Sequence, residues 1–196
     1  MKKTTMITTM TLSLAASPAF AHLNPAEHGS FAAGFSHPLS GPDHILAMVA
    51  VGLWAAMLGG RALFAVPGVF VGVMLLGFIA GFSGMHLPFV ESMILTSVVV
   101  LGLLVALALP VPAMAGAIIA GFFAFFHGHA HGAEIGAAAF ASYAAGFTLS
   151  TALLHGAGIL IGISLGRLGA RDKALVAMRV AGGATALAGL ALAISG

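Results

Sequence analysis

The sequence contains no cysteine, and only 6% of its 196 residues are charged. The absence of cysteine excludes disulfides, thiolate metal sites and thiol nucleophiles, so any ligand must offer nitrogen, oxygen or a thioether. The shortage of charge, together with 60% hydrophobic residues and a mean hydropathy of +1.12, excludes an ordinary soluble domain. Seven Lys and Arg form no basic patch, so no nucleic-acid partner is expected. No P-loop pattern is present, so ATP does not power the protein directly.

Long apolar runs dominate the sequence and predict an all-α integral membrane protein. About 18–20 apolar residues span a bilayer as a helix, and in lipid only helices or closed barrels satisfy every backbone polar group. The runs are continuous rather than alternating, which favours helices. We therefore predict one six-helix transmembrane bundle in contact with the lipid bilayer. The predicted spans are about 30–59, 62–82, 88–109, 111–130, 136–165 and 173–195.

The first 21 residues have the pattern of a secretory signal peptide. Lys2 and Lys3 precede a modest apolar region, and Ala19-Phe20-Ala21 forms an A-x-A cleavage site. The alternative is an uncleaved first helix, but its apolar core is short and rich in threonine. We predict a signal peptide over 1–21 and a six-span domain over 22–196 that begins outside the cytoplasm.

The distribution of basic residues predicts the same orientation. Arg61 lies between spans one and two, and Arg167, Arg171 and Lys173 lie between spans five and six. Because basic residues favour the cytoplasmic side, both connections are expected inside the cell. The predicted localisation is the bacterial inner membrane, with several spans and a periplasmic mature N-terminus.

A first polar cluster lies in span one, within His37-Pro38-Leu39-Ser40-Gly41-Pro42-Asp43-His44. Pro38, Gly41 and Pro42 disfavour a regular helix, so we predict a kink or re-entrant turn followed by a helix from about Asp43. Broken helices at membrane depth are tolerated where they line a cavity. Asp43 has three readings: a direct ligand, an acceptor for the second N–H of a metal-bound imidazole, or a helix N-cap. The predicted ligands here are His37, Asp43 and His44.

A second polar cluster ends span four. His127 and His131 are four residues apart and Glu134 follows three later, so a helix places all three on one face. His129 points elsewhere unless Gly128 and Gly132 loosen the turn. Two histidines at this spacing suit a metal clamp, and the alternative is a histidine-rich surface turn. We predict that the two clusters meet and bind one divalent transition metal through His37, Asp43, His44, His127, His129, His131 and Glu134.

Further polar residues are candidates for a metal pathway. His155 is the ambiguous case, because a lone histidine on an apolar helix is as well explained by packing. The others are equally compatible with interfacial positions. The candidates are His22, His28, His86, Glu91 and His155.

The ligand set restricts the metal. A histidine and carboxylate set without sulfur disfavours Cu(I) and leaves Ni²⁺, Co²⁺ and Zn²⁺. The metal is expected as cargo rather than as a permanently bound cofactor, with modest affinity so that it can leave. Because protons compete for imidazole, whose ordinary pKa is about 6.5, uptake should weaken as pH falls through that region.

Glycine is abundant, with 27 residues, and recurs at four-residue spacing. Such spacing lets helices approach closely, which we expect at Gly68/Gly72, Gly77/Gly81 and Gly158/Gly162/Gly166. Spans one and four each carry an outer histidine cluster and run in opposite senses. This permits a three-plus-three inverted arrangement, although no convincing residue-level repeat supports it.

At these residues the chain resembles the HupE/UreJ family of nickel and cobalt permeases, found beside hydrogenase and urease genes in bacteria. The resemblance rests on His37-Pro38-x2-Gly41-x-Asp43-His44 and on Phe126-His127-Gly128-x-Ala130-His131-Gly132-x-Glu134. It covers nearly the whole chain and implies a permease, not an enzyme, that takes Ni²⁺ or Co²⁺ from periplasm to cytoplasm for metalloenzyme maturation. The functional residues it implies are His37, Asp43, His44, His127, His131 and Glu134.

The resemblance leaves nickel against cobalt open, and hydrogenase against urease as the client. Two rival functions follow from the residues themselves. An intramembrane zinc hydrolase would use a His/Asp set to activate water, and a b-type haem subunit would use histidines from two helices as axial ligands. A homo-oligomer and a cytoplasmic metallochaperone are compatible partners, although no residue pattern specifies either.

Overall fold

The computed structural model describes residues 30–135, 140–168 and 171–195, in which every regular element is an α-helix. The all-α prediction is thus confirmed. The predicted signal peptide over 1–21, together with His22 and His28, lies outside the described residues. The helices are α1 (Phe31–Ser40), α2 (Pro42–Leu58), α3 (Ala62–Phe82), α4 (Val90–Leu107), α5 (Ala113–Ala133), α6 (Phe140–Leu168) and α7 (Arg171–Ser195).

The helices are long and apolar enough for a multi-pass membrane protein. α3 to α7 each meet the length and composition of a membrane span, and α1 and α2 meet them together as one broken span. Counting that pair once gives the six spans predicted from the sequence. The helix boundaries differ from the predicted ones by a few residues. The most consequential difference is in α5, which continues through Ala133 and therefore keeps the histidines of the second cluster helical.

The first span is broken where the sequence predicted a kink. α1 and α2 meet at an angle of 84°, and Gly41 between them has extended backbone angles, φ −98° and ψ 122°. Pro42 opens α2 at a position where the missing proline N–H costs no hydrogen bond. The expectation that Pro38 also interrupts the helix is wrong, because Pro38 lies inside α1, near its C-terminal end.

Glycines bring pairs of helices into backbone contact. A Cβ at Gly77 of α3 would overlap the carbonyl of Phe125 in α5, and one at Gly81 would overlap the carbonyl of His129. The contacts advance together along both helices, so α3 and α5 run parallel. Gly158 also fills its predicted role, against the Val49 carbonyl of α2. The expectation is wrong for Gly68, Gly72 and Gly166, where an added Cβ would meet nothing within 4 Å.

The close contacts repeat between the two halves of the chain. Gly128 abuts the carbonyl of Met74 (α5 on α3), and Gly52 abuts the carbonyl of His155 in the same way (α2 on α6). α4 and α7 cross each other symmetrically, because Gly102 abuts the Ala186 nitrogen and Gly182 abuts the Ala106 nitrogen. These reciprocal pairings are those expected of two inverted three-span halves. The halves are interlocked, because α3 of the first half packs on α5 and α6 of the second half packs on α2. The inverted arrangement, which the sequence only permitted, is visible in the contacts.

The Gly77 contact supports a stability prediction. Gly77→Ala should lower the midpoint of thermal unfolding in detergent, because overpacking against backbone costs about 1–3 kcal/mol. Gly72→Ala, in the same helix but facing open space, is the matched control and should leave the midpoint unchanged or raise it. Equal midpoints for the two variants would contradict the α3–α5 contact.

Candidate metal centre

The two polar clusters meet at the break in the first span. His44 lies on the first turn of α2, and His131 lies on the last turn of α5. Their Nε2 atoms are 2.7 Å apart, in a buried hydrogen bond between residues 87 positions apart in sequence. The predicted meeting of the clusters is therefore confirmed.

Two more imidazoles surround this pair. The ring centroid of His127 is 5.1 Å from that of His44. The ring of His37, on α1, lies 4.3 Å from His131 and 6.1 Å from His44. His44, His127 and His131 are at most 6% exposed, whereas His37 is half-buried at the edge. We call the four residues His37, His44, His127 and His131 the histidine cluster.

Asp43 orients the histidine cluster from one side. Its Oδ2 lies 3.0 Å from Nδ1 of His44, and its side chain is 25% exposed. Because a carboxylate accepts hydrogen bonds, it selects the tautomer of His44 that carries the proton on Nδ1. Nε2 of His44 is then the acceptor, and Nε2–H of His131 donates to it. Of the three readings of Asp43, contact with the imidazole N–H matches this geometry.

Ser97 of α4 orients a second histidine of the cluster, His127. Its Oγ lies 2.6 Å from the carbonyl of Ile94, to which the hydroxyl donates, and 2.9 Å from Nε2 of His127. The hydroxyl oxygen therefore accepts from Nε2–H, which leaves Nδ1 of His127 with its lone pair. The sequence analysis missed Ser97. Its neighbour Thr96 is also a hydroxyl residue, so the sequence offered no signal that singles out Ser97.

With the tautomers that Asp43 and Ser97 select, His131 and His127 each keep a lone pair on Nδ1 in the protein interior. Nδ1 of His127 and Nδ1 of His131 are buried, and neither has a hydrogen-bond partner among the described residues. Buried polar atoms in native proteins are nearly always paired. Two buried imidazole acceptors one helical turn apart on α5 suit a cation that accepts lone pairs.

An aromatic wall surrounds the histidine cluster. The Phe147 ring lies 4.7 Å from His131, the Phe70 ring 5.8 Å from His127, and the Tyr143 ring 6.3 Å from His37. An apolar shell of this kind limits water access and strengthens electrostatic interactions inside it. None of these three aromatic residues was predicted as part of the site.

The histidines bind each other rather than surround an empty centre. Among residues 30–135, 140–168 and 171–195, no three His, Asp or Glu side chains are already placed to hold one metal ion. Two nitrogens bound to one ion at about 2.1 Å are roughly 3.0–3.4 Å apart in octahedral or tetrahedral positions. The 2.7 Å separation of the His44 and His131 nitrogens is shorter. For one ion to bind both of these nitrogens, the hydrogen bond must open and Nε2 of His131 must lose the proton that it donates.

Of the remaining predicted ligands, His129 points away from the histidine cluster. Nε2 of His129 is 2.7 Å from the carbonyl of Met85, in the α3–α4 connection, so it donates there. Gly128 and Gly132 do not loosen the turn, and α5 remains regular. Glu134 is exposed at the C-cap of α5. It is close enough to Tyr143 for an electrostatic interaction, which places it near the His37 edge.

The predicted pathway residues occupy different places. His86 is exposed in the α3–α4 connection, and Glu91 is exposed in the first turn of α4. No contact between either residue and the histidine cluster is found in the described part of the chain. His155, in contrast, is 1% exposed inside α6 and packs edge-on against Phe70, with ring centroids 4.9 Å apart.

The Ser97 contact gives a testable prediction. Ser97→Ala removes the acceptor that fixes His127, and loss of such an orienting partner lowers metal affinity about 10–100-fold. Isothermal titration of purified protein with Ni²⁺ measures this change. Thr96→Ala is the control, because the Thr96 hydroxyl donates to the backbone carbonyl of Ser92 on an exposed face of the same helix. Equal affinities in the two variants would remove Ser97 from the site.

Comparison with known proteins places the chain in a family. The family model described as HupE / UreJ protein matches residues 10–192. Protein HupE from Rhizobium leguminosarum bv. viciae is 47% identical over 188 residues, which cover 95% of this chain and 96% of the relative. No solved structure matches the chain. A family model and a relative that both extend over nearly the whole sequence lead to one conclusion: the chain belongs to the HupE/UreJ family.

Proposed function

We propose that the protein is a permease of the inner membrane that carries Ni²⁺, with Co²⁺ as the alternative cargo, from periplasm to cytoplasm. The observation that carries the proposal is the cluster of four imidazoles, three of them buried, beside one carboxylate in a largely apolar bundle. Buried ionisable groups in membrane spans are costly and mark ion pathways. The family assignment, the predicted use in metalloenzyme maturation and the resemblance to nickel and cobalt permeases agree with this function.

The chemistry of the histidine cluster favours a divalent transition metal. Imidazole nitrogens replace water around nickel, cobalt or zinc, whereas alkali and alkaline-earth ions prefer oxygen. The Asp43 carboxylate offsets part of the ion's charge through His44. The metal passes through as cargo, so the proposal requires no resident cofactor and assigns no reaction to the protein.

Charge placement supports the membrane orientation that import requires. Arg61 is exposed between α2 and α3, at the end of α2 opposite the histidine cluster, and Arg167 is exposed near the end of α6. Arg179 donates from Nε to the carbonyl of Ala106, near the C-terminal end of α4. The basic residues thus lie away from the cluster, as the positive-inside rule expects if the cluster faces the periplasm. The ion then enters at the cluster and leaves at the basic end.

The two rival functions have less support from the site. A bis-histidine haem needs its iron between two opposed imidazoles, but His44 and His131 are in direct hydrogen-bond contact. A zinc hydrolase needs an open coordination position that water and substrate can reach. The nitrogens left for such a position are fully buried behind the aromatic wall.

The test is radioactive nickel uptake in a host that lacks its own nickel transporters. Cells expressing the protein should accumulate ⁶³Ni²⁺ well above cells with an empty vector. Excess unlabelled Co²⁺ should compete if cobalt is a second cargo, whereas Zn²⁺ competition would broaden the assignment. Reconstitution into vesicles with nickel on one side then measures direction. Accumulation equal to that of the empty vector, with the protein present in the membrane, would overturn the proposal.

A further inference from the structure

His155 is a buried histidine whose ring has no polar contact with any described residue. It lies near the middle of α6 and is 1% exposed. Neither Nδ1 nor Nε2 has a hydrogen-bond partner in the described part of the chain. A neutral imidazole carries one donor and one acceptor, and both are normally paired when buried. Packing against Phe70 alone would be served as well by an apolar side chain.

The fold itself indicates that an apolar residue is acceptable at this point. The Gly52 contact with the His155 backbone is the counterpart of the Gly128 contact with Met74 in the other half. Met74 is fully buried. An imidazole at the corresponding place in α6 is therefore not required by the helix packing, and a chemical role is the better explanation.

One aromatic ring separates His155 from the histidine cluster. The centroid of Phe70 lies 5.8 Å from His127 and 4.9 Å from His155. Along α6, Phe147 contacts His131 of the cluster, and His155 follows eight residues later, about 12 Å further along the helix. His155 is thus the next nitrogen donor inward, toward the end of the bundle that carries Arg167.

Other unpartnered polar atoms accompany His155. Thr151 precedes it by one helical turn on the same face of α6, and its Oγ1 is buried without a partner among the described residues. The Oγ of Ser150 is also buried, and it too has no hydrogen-bond partner among the described residues. Hydroxyl oxygens and an imidazole are suitable ligands for a partly hydrated divalent ion.

We propose that His155, assisted by the hydroxyl of Thr151, forms a second, transient metal-binding site. This site receives the ion from the histidine cluster past the ring of Phe70. The inference rests on the proposed permease function. An ion leaving several imidazoles needs another ligand before it crosses the apolar half of the bundle. A single imidazole with hydroxyls binds more weakly than the cluster, so the ion can move on.

The test uses purified protein and nickel-loaded vesicles with four variants. His155→Leu removes the ligand, His155→Cys replaces it by a thiol in a chain that has no other cysteine, and His155→Ser is the counterpart of the cysteine variant with oxygen in place of sulfur. Thr185→Val, at a buried hydroxyl of α7, is the control for altered interior polarity. Each variant is measured for equilibrium ⁶³Ni²⁺ binding and for initial rates of ⁶³Ni²⁺ and ¹⁰⁹Cd²⁺ transport.

We expect His155→Leu to slow nickel transport about tenfold or more while equilibrium binding at the cluster stays within about twofold of wild type. His155→Cys should raise the cadmium-to-nickel rate ratio above that of His155→Ser, because thiolate favours softer ions. Wild-type nickel rates in His155→Leu would overturn the inference. Equal cadmium-to-nickel rate ratios in the cysteine and serine variants would also overturn it. This comparison tests the inference even if the leucine variant fails to fold. An inactive wild type would instead refute the permease function.

Discussion

Replacing His131 by alanine is expected to abolish nickel uptake without unfolding the protein. His131 is the residue on which the histidine cluster converges: its Nε2 bonds to His44, and its ring lies against both His37 and Phe147. The alanine variant offers the ion one nitrogen ligand fewer, and it leaves His44 with only Asp43 of the two partners that hold its ring in place. Loss of a ligand together with a loss of orientation should reduce the uptake rate by about 100-fold or more.

His129→Ala is the matched control for this experiment. It removes an imidazole from the same turn of α5, but one that donates to the Met85 carbonyl outside the cluster. Uptake of ⁶³Ni²⁺, normalised to protein in the membrane, should remain within about threefold of wild type, since the cost is one hydrogen bond. If the two alanine variants lost uptake equally, the assignment of His131 to the metal site and of His129 to a structural hydrogen bond would be wrong.

The second large effect is expected for Asp43→Asn, which preserves size and removes charge. The amide can present its NH₂ group to Nδ1 of His44, which favours the opposite tautomer and blocks the Nε2 lone pair with a proton. A wrong tautomer and one negative charge fewer beside the ion should together lower uptake about 100-fold, the upper range for orienting partners of metal ligands. ¹⁵N spectra of labelled histidine report the tautomer directly, and uptake reports the consequence.

Asp172→Asn is the control for charge alone. Asp172 is exposed in the first turn of α7, at the other end of the bundle, so its neutralisation should leave both spectrum and uptake as in wild type. Asp43→Asn with a wild-type histidine spectrum and reduced uptake would assign Asp43 a purely electrostatic role. Normal uptake in Asp43→Asn would remove it from the site.

The sequence predicted those features that depend on local chemistry. Gly41-Pro42 predicted the break in the first span because neither residue favours a continuing helix there. The four-residue spacing of His127 and His131 predicted a shared helix face because 3.6 residues complete a turn. His129 was expected to point elsewhere in a regular helix, and its contact with Met85 follows that expectation.

Features that depend on contacts between distant residues were not predictable in this way. Ser97 and Phe70 belong to apolar runs whose composition satisfies the membrane, and only packing reveals that they touch His127. Glycine spacing is equally ambiguous. Gly72 and Gly77 lie in the same helix, yet only Gly77 faces a neighbouring backbone, because rotation about the helix axis is set by the partner.

The interlocking of the two halves has a consequence for biogenesis. α2 and α3 leave the ribosome before α6 and α5, their closest partners, have been synthesised. Each of these two helices therefore remains in the membrane without its main packing partner until the second half has been inserted. The centre formed by His44 and His131 is consequently completed only when the second half has inserted, so a chain truncated after α4 can contain no metal site of this kind.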